Sequence, residues 1–362
     1  MKNHKPELGA RMQRFLRADV QGMHAYAVQD SRGLIKLDAM ENPYTLPATL
    51  QVELGRRLGE AAINRYPAQS AEELRLALKR HVGLPEGCEL MLGNGSDELI
   101  SLLTLAADLP GNRVLAPVPG FVMYEMSAKL QGLGFVGVPL TADFELDRAA
   151  MLAAIEEHQP ALIWLAYPNN PTANLWDEAT IAAIVEAAPG LVVMDEAYQP
   201  FASRDSMGLL AQHEHVLVMR TLSKFGLAGV RIGYLMGRSG LIGEIDKLRP
   251  PYNISVLNAE AGLFALEHAD EYAHQAEAIR AEREKLFAEL AQLPGVRPYP
   301  SQANMILVRV PDAARCFAGM KARGVLVKHV AGLHPLLSNC LRLTVGTPEE
   351  NQAMMAALKE SL

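Results

Sequence analysis

Between residues 88 and 236 the chain carries seven short apolar runs with almost no polar alternation inside them. They are Glu89–Leu92, Arg113–Ala116, Phe135–Val138, Ala161–Ala166, Leu191–Met194, Val216–Met219 and Gly233–Met236. A strand with one wet face alternates apolar and polar residues, whereas a strand covered on both faces is apolar throughout. Helical stretches lie between the runs, at Asp97–Ala107, Ala149–Glu157 and Asp177–Ala187. Crossover helices between buried strands specify parallel pairing. The predicted fold is therefore α/β, with a large domain built on a mostly parallel, doubly covered sheet of about seven strands. A sequence that is 49% hydrophobic but only 6% aromatic gives an aliphatic, alanine-rich core, which suits that class better than an all-β sandwich.

The flanks read differently. A short amphipathic piece (Arg11–Val20) precedes the loop-like IKLDAMENPY. A helix is expected over Pro47–Leu58, a break at Asn64–Pro67, and a new helix at Ser70, where Glu73 three residues on completes a capping-box pattern. Beyond Pro250-Pro251 the pattern predicts a long helix (Leu257–Leu293) and a strand (Met305–Val310). A helix (Ala313–Arg323) and two strands (Val325–Lys328, Cys340–Val345) follow. These make a smaller α+β domain drawn from both termini, with expected divisions 1–46, 47–255 and 256–362.

The formal charge of -7 includes no long basic run, so neither nucleic acid nor an anionic membrane is an expected partner. Cys88, Cys316 and Cys340 are far apart and form no CxxC pair, which fits a reducing compartment and speaks against a disulfide framework or a zinc site. No apolar run reaches the ~20 residues that cross a bilayer. MKNHKPELGARMQRFLRADV has no continuous apolar core of the secretory kind. The expectation is a soluble, cytoplasmic protein.

In open parallel sheets ligands bind beyond the carboxyl ends of the strands. After the first run stands Gly93-Asn94-Gly95-Ser96-Asp97, either an anion cradle or an ordinary helix start. After the second comes Phe121, a candidate stacking face or a core aromatic, with Tyr124 beyond. Tyr167-Pro168-Asn169-Asn170-Pro171-Thr172 follows the fourth and offers a rigid amide donor, or simply a turn. The fifth ends in Asp195-Glu196-Ala197-Tyr198. A carboxylate there needs a cationic partner: a basic residue, a metal or a protonated heterocyclic nitrogen. No cluster with metal-ligand spacing accompanies it.

The sixth run leads into RTLSKFGLAGVRIGYLMG. Lys224 sits between hydroxyls (Thr221, Ser223) and small residues (Gly226, Ala228, Gly229), with Arg231 seven residues on. The small residues admit a bulky group, the arginine offers a fork to an anion, and a desolvated lysine is a nucleophile toward carbonyls. His329 and His334 flank a loop before Pro335 and are read as surface or lid residues.

Taken together, NNPT, MDEAY and TLSK with its following arginine resemble the pyridoxal-phosphate enzymes of the aspartate-aminotransferase fold, over essentially the whole chain. LDAMENPY, NRYP, GNGSDE, RTLSKFGLAGVRIGY and HPLLSNCLRLTVGTPEEN are most similar to the histidinol-phosphate aminotransferase family. The resemblance implies pyridoxal 5'-phosphate as cofactor, held covalently by Lys224, which also moves the substrate proton. It implies that Asp195 pairs with the ring nitrogen and that Asn170 and Tyr198 donate to the phenolic oxygen. Phe121 is implied to stack on the ring. Ser96, Asp97, Thr221, Ser223 and Arg231 are implied to hold the phosphate, joined by Tyr66 from the second subunit of a homodimer. Arg342 is implied to bind the substrate's anionic end, with Lys328, Tyr26 and Asn42 nearby. The implied reaction is transamination between L-histidinol phosphate and 2-oxoglutarate, giving imidazole-acetol phosphate and L-glutamate in histidine biosynthesis. An aromatic or broad-range aminotransferase and a threonine-phosphate decarboxylase are the alternatives on the same frame. The chain departs from the usual pattern in the spacing of Arg231, in Ala173 where glycine is commoner, and in Lys328 where a second arginine is expected.

Overall fold

The computed structural model describes residues 8–22 and 29–362. Residues 1–32 and 33–362 are two compact units. In the first, the single predicted piece is two helices, Leu8–Phe15 and Ala18–Gly22, with every apolar side chain exposed. Residues 33–362 carry the rest, including thirteen strands. These are β1 (Ile35–Lys36), β2 (Cys88–Gly93), β3 (Arg113–Val118), β4 (Gly134–Pro139), β5 (Leu162–Ala166), β6 (Leu191–Asp195), β7 (Val216–Thr221) and β8 (Gly233–Arg238), followed by β9 (Arg297–Pro298), β10 (Met305–Arg309), β11 (Val325–Leu326), β12 (Lys328–His329) and β13 (Cys340–Thr344).

All seven predicted apolar runs are strands, and they form one seven-stranded sheet in the order β2-β8-β7-β6-β5-β3-β4. β8 runs antiparallel to both its neighbours; every other pairing is parallel. The absence of alternation has a direct cause in β5. Leu162, Trp164 and Ala166 enter the apolar cluster on one face, and Ile163 and Leu165 enter the cluster on the other. β6 and β7 divide likewise, with Val193, Leu217 and Met219 on the first side and Met194, Val216 and Val218 on the second.

The smaller sheet, β12-β13-β10-β9, packs in its own cluster with Leu37 and Met40 from the amino-terminal side of the chain. Two-residue β1 pairs in parallel with β11, Ile35 opposite Val325. The predicted strand Val325–Lys328 is thus two: β11 pairs with β1, and after Val327 β12 turns to pair with β13. The predicted long helix is also two, Val256–Glu267 and Ala269–Leu290, because His268 leaves helical values (φ -112°, ψ 33°). The expected capping box at Ser70 is not formed. The helix begins two residues earlier, behind Pro67, whose ring restricts φ near helical values. Ser70 instead donates to the Pro67 carbonyl, and Glu73 accepts from Gln69. A true capping box lies at Thr347 and Glu350, at the start of the Pro348–Lys359 helix.

Candidate active site

Beyond the carboxyl ends of the central strands lies a cavity of about 130 Å³. Ten of the predicted residues line it: Ser96 and Asp97 after β2, Phe121 after β3, and Asn170 after β5. Asp195 and Tyr198 come from the end of β6, and Thr221, Ser223, Lys224 and Arg231 from the segment after β7.

Asp195 ends β6 and is 4% exposed. Tyr124 donates its hydroxyl to Oδ2 at 2.6 Å, and the Ala197 amide donates to Oδ1 at 3.1 Å. Burial outweighs both contacts and lifts the carboxyl to about 6. It therefore stays ionised near neutral pH and gains most by meeting a cation. Burial also raises the Tyr198 phenol well above its ordinary range, so its hydroxyl is a standing donor.

Lys224 lies in a short helical turn (Ser223–Leu227) directly after β7. Gly226 makes that turn possible: its φ is 142°, and a Cβ there would sit 2.8 Å from the Tyr272 ring. Lys224 Nζ donates to the Ala39 carbonyl at 2.8 Å and stands 5.9 Å from the centre of the Tyr198 ring. The amine opens onto the cavity, but enclosure by protein and the nearby Arg342 charge lower it to about 8. Such an amine is partly neutral at physiological pH and available as a nucleophile or proton carrier.

At the opposite end the Ser96–Ala106 helix points its amino terminus at the cavity, and its N-cap Gly95 provides no side chain to its amides. Crowding here fixes the glycines. A Cβ on Gly233 would lie 2.7 Å from the Ser96 nitrogen, and one on Gly95 would lie 2.5 Å from Arg231 Nη2. Arg231, itself left-handed (φ 56°), reaches Asp97 at 3.3 Å. Thr221 Oγ1 accepts the Ser223 amide (3.1 Å) and lies 3.0 Å from Ser223 Oγ. Backbone amides, two hydroxyls and a guanidinium together suit a phosphoryl group.

Phe121 presents an edge to Tyr124 (centroids 5.6 Å, 86°), and Tyr124 stacks on Trp164. The two amides of the NNP sequence divide their work. Asn169 is fully buried and donates to Pro119 O and Thr172 Oγ1, while Asn170 faces the cavity and accepts from Arg342 Nη1 at 2.7 Å. Arg342 Nη2 donates to the Asp38 carbonyl at 2.6 Å. Lys328 stands directly opposite Arg342 in the β12–β13 register but does not line the cavity. Asn42 is one step away, bonded to Gln275 and the Phe225 carbonyl. Tyr66 is 77% exposed and stacks on Tyr252, outside this cavity. Tyr26 lies outside the described residues. Sequence reasoning noted Tyr124 without giving it a role, and it missed the 38–40 strap. Three residues separate Phe121 from Tyr124, one helical turn, and that spacing was the available signal.

The set suits a flat ring with a basic nitrogen facing Asp195, an anion at the Ser96 end, and an aldehyde within reach of Lys224. Among the described residues no group of His, Cys, Asp and Glu could hold a metal, and no helix is long and apolar enough to cross a membrane.

Known proteins resemble this chain in sequence and in fold. The sequence is 70% identical over 360 residues to a histidinol-phosphate aminotransferase of Methylibium petroleiphilum, covering 99% of this chain and 97% of that one. It is 63% identical to one of Polaromonas naphthalenivorans, covering 98% of each. Among solved structures, histidinol-phosphate aminotransferase from Sinorhizobium meliloti in complex with pyridoxal-5'-phosphate aligns with a TM-score of 0.79 at 26% identity, over 90% of each chain. The Clostridium acetobutylicum enzyme aligns at 0.82 and 20% identity, over 90% of this chain and 98% of that one, a likeness of fold. The sequence model described as aminotransferase class I and II matches residues 32–358, and the chain belongs to that family.

Proposed function

We propose that this cavity holds pyridoxal 5'-phosphate and transfers an amino group between L-histidinol phosphate and 2-oxoglutarate, giving imidazole-acetol phosphate and L-glutamate. The observation that carries the reading is the meeting, in one cavity, of a lysine lowered to about 8, a buried carboxylate and an anion cradle. When bound, the cofactor supplies an electron sink for the electrons left on the substrate's α-carbon. Lys224 would hold it and then carry the proton to and from that carbon. Asp195 would keep a proton on the ring nitrogen, and Asn170 and Tyr198 would donate to the phenolic oxygen. Phe121 would cover one ring face. Ser96, Asp97, Thr221, Ser223 and Arg231 would hold the phosphate.

Arg342 would bind the substrate's anion, since a guanidinium fork fits a carboxylate and a phosphate alike. Both substrates share that need. Lys328, Asn42 and Tyr26 belong to the same end in this reading. Tyr66, exposed on its own subunit, would reach the phosphate of a second copy in a homodimer. The division into 1–46, 47–255 and 256–362 and a cytoplasmic location complete the proposal. Relatives at 70% and 63% identity bear the name histidinol-phosphate aminotransferase, which favours this reading over the alternatives on the same frame.

The test is the absorption spectrum of the reconstituted protein with and without L-histidinol phosphate, followed by steady-state rates against phenylalanine and aspartate. A cofactor band that shifts on addition, with histidinol phosphate the preferred donor, is expected. A clear preference for phenylalanine would overturn the substrate assignment.

A further inference from the structure

Two carboxylates stand side by side at the end of β6, and they face opposite sides of the sheet. Asp195 falls on the side of Val193 and lines the cavity described above, while Glu196 falls on the side of Met194. β7 repeats the pattern: Thr221 looks into the cavity, and Arg220 looks away from it. Glu196 and Arg220 meet behind the strands at the floor of a second cavity of about 470 Å³. Both are nearly inaccessible, at 1% and 7% exposure. Arg220 Nε and Nη2 contact the same carboxylate oxygen, Oε2, at 2.8 and 2.7 Å. The other oxygen, Oε1, accepts the Ser206 amide, and Arg220 Nη2 also reaches Asp205 at 3.1 Å.

Strand neighbours move together. Asp195 and Met219 are register partners, and the Glu196 amide donates to the Met219 carbonyl at 2.8 Å. A tie between residues 196 and 220 therefore fixes the distance between residues 195 and 221 on the other face. A buried ion pair earns little net stability, since desolvation offsets the attraction, but removing one member leaves an uncompensated charge. That makes such pairs devices of position more than of stability.

We propose that the Glu196–Arg220 pair is a reverse-face clamp. It holds the ring-nitrogen partner Asp195 and the phosphate hydroxyl Thr221 in register, and it cancels the Glu196 charge that Asp195 would otherwise feel. The proposal rests on the cofactor reading above. Both residues are positioning residues and touch neither cofactor nor substrate. The titratable and charged groups that share the front cavity with Asp195 are Tyr124, Tyr198, Asp97, Lys224 and Arg231, and Arg342 stands beyond Asn170. Behind it stand Glu196, Arg220, Asp205 and Tyr234, with His81, Arg280 and Asp270 on the rim of the rear cavity. The Glu196 charge raises the proton affinity of Asp195, and Arg220 pairs with that charge.

The experiment measures the dissociation constant of pyridoxal 5'-phosphate as a function of pH for the wild type, Glu196→Gln and Glu196→Gln/Arg220→Met. Folding is checked by thermal melting. In the wild type the cofactor is expected to dissociate as pH falls and Asp195 takes up a proton. Glu196→Gln leaves Arg220 paired with Asp205 alone, removes one negative charge from behind Asp195 and is expected to move that limb down by roughly half a pH unit. The double variant removes both charges, so its limb returns to the wild-type position. Because the tie is gone, its affinity at neutral pH is expected to fall roughly tenfold. A limb that is unmoved or raised in Glu196→Gln, or that fails to return in the double variant, overturns the clamp. If either variant does not fold, Asp205→Asn, at a half-exposed site, is expected to shift the limb the same way but less; an upward or absent shift overturns the proposal equally. A wild type that never retains the cofactor would overturn the functional reading instead.

Discussion

At one end of the cavity, Asp195 and Thr221 close strands of a single sheet and the Ser96–Ala106 helix follows another of its strands, and the partners of the two side chains are groups of the same lobe. At the other end, Arg342 comes from β13 and is held by Asn170 and by the Asp38 carbonyl, while Lys224 is held by the neighbouring Ala39 carbonyl. The second end holds its cations on neutral oxygens, two backbone carbonyls and the Asn170 amide, and a substrate anion can displace such acceptors from Arg342 because charge-assisted contacts are the stronger. Rigid anchoring of a cofactor and exchangeable holding of two substrates are separate physical tasks, and on the proposed reading the two ends divide them.

The comparison breaks most readily at Lys224, which serves both ends. Lys224→Ala is expected to lower turnover on the order of 10⁴-fold or more with the melting temperature unchanged; near-normal turnover would assign the proton transfer to another base. Capture of the cofactor by the wild-type apoprotein should quicken as pH rises through about 8, when Nζ loses its proton. A flat profile across that range contradicts the lysine assignment.

Arg342→Ala sharpens the contrast. It is expected to cut kcat/KM for both substrates on the order of 10²-fold, through KM first, with cofactor affinity intact. Equal losses in cofactor and substrate binding would mean that the two ends are not separable.

Asp195→Asn probes the first end in the empty protein. The folded carboxyl titrates near 6 against an ordinary 3.8, so between those values the folded state holds more protons and stability falls as pH rises. The asparagine variant should therefore be more stable than the wild type by roughly 3 kcal/mol at pH about 8, the gain vanishing below about 4. Urea melts at both pH values check the sign, and a variant less stable at alkaline pH refutes it. The smallest effect is expected from Tyr66→Phe, a few-fold loss of cofactor affinity by equilibrium dialysis. Unchanged affinity removes the contact from the second subunit.

How far the amino-acid order alone reaches differs between the same two regions. The large sheet was readable because burial on both faces leaves continuous apolar runs such as Leu162–Ala166, a signal internal to each strand. The cofactor end inherits that clarity, since its residues follow those runs at once. β1 and β11 are two residues long, too short for any period to register, and their pairing joins positions far apart in the chain. Arg342 was found through its surrounding LRLTVG, but its hold on Asp38 depends on the tertiary path of the strap. The Thr347 capping box was missed and one was expected at Ser70, because Pro67 starts that helix first. Glu196 and Arg220 went unread although each adjoins an assigned residue. Strand alternation sends them to the opposite face, away from the cavity at the strand ends.

The pairing of Ile35–Lys36 with Val325–Leu326 has a consequence for biogenesis. A polypeptide emerging from the ribosome holds all seven strands of the larger sheet once residue 238 is free, yet β1 meets its partner β11 only almost ninety residues later, and Arg342 follows that. On the proposed reading, the nascent molecule would carry its coenzyme residues well before the arginine meant for the amino donor is made.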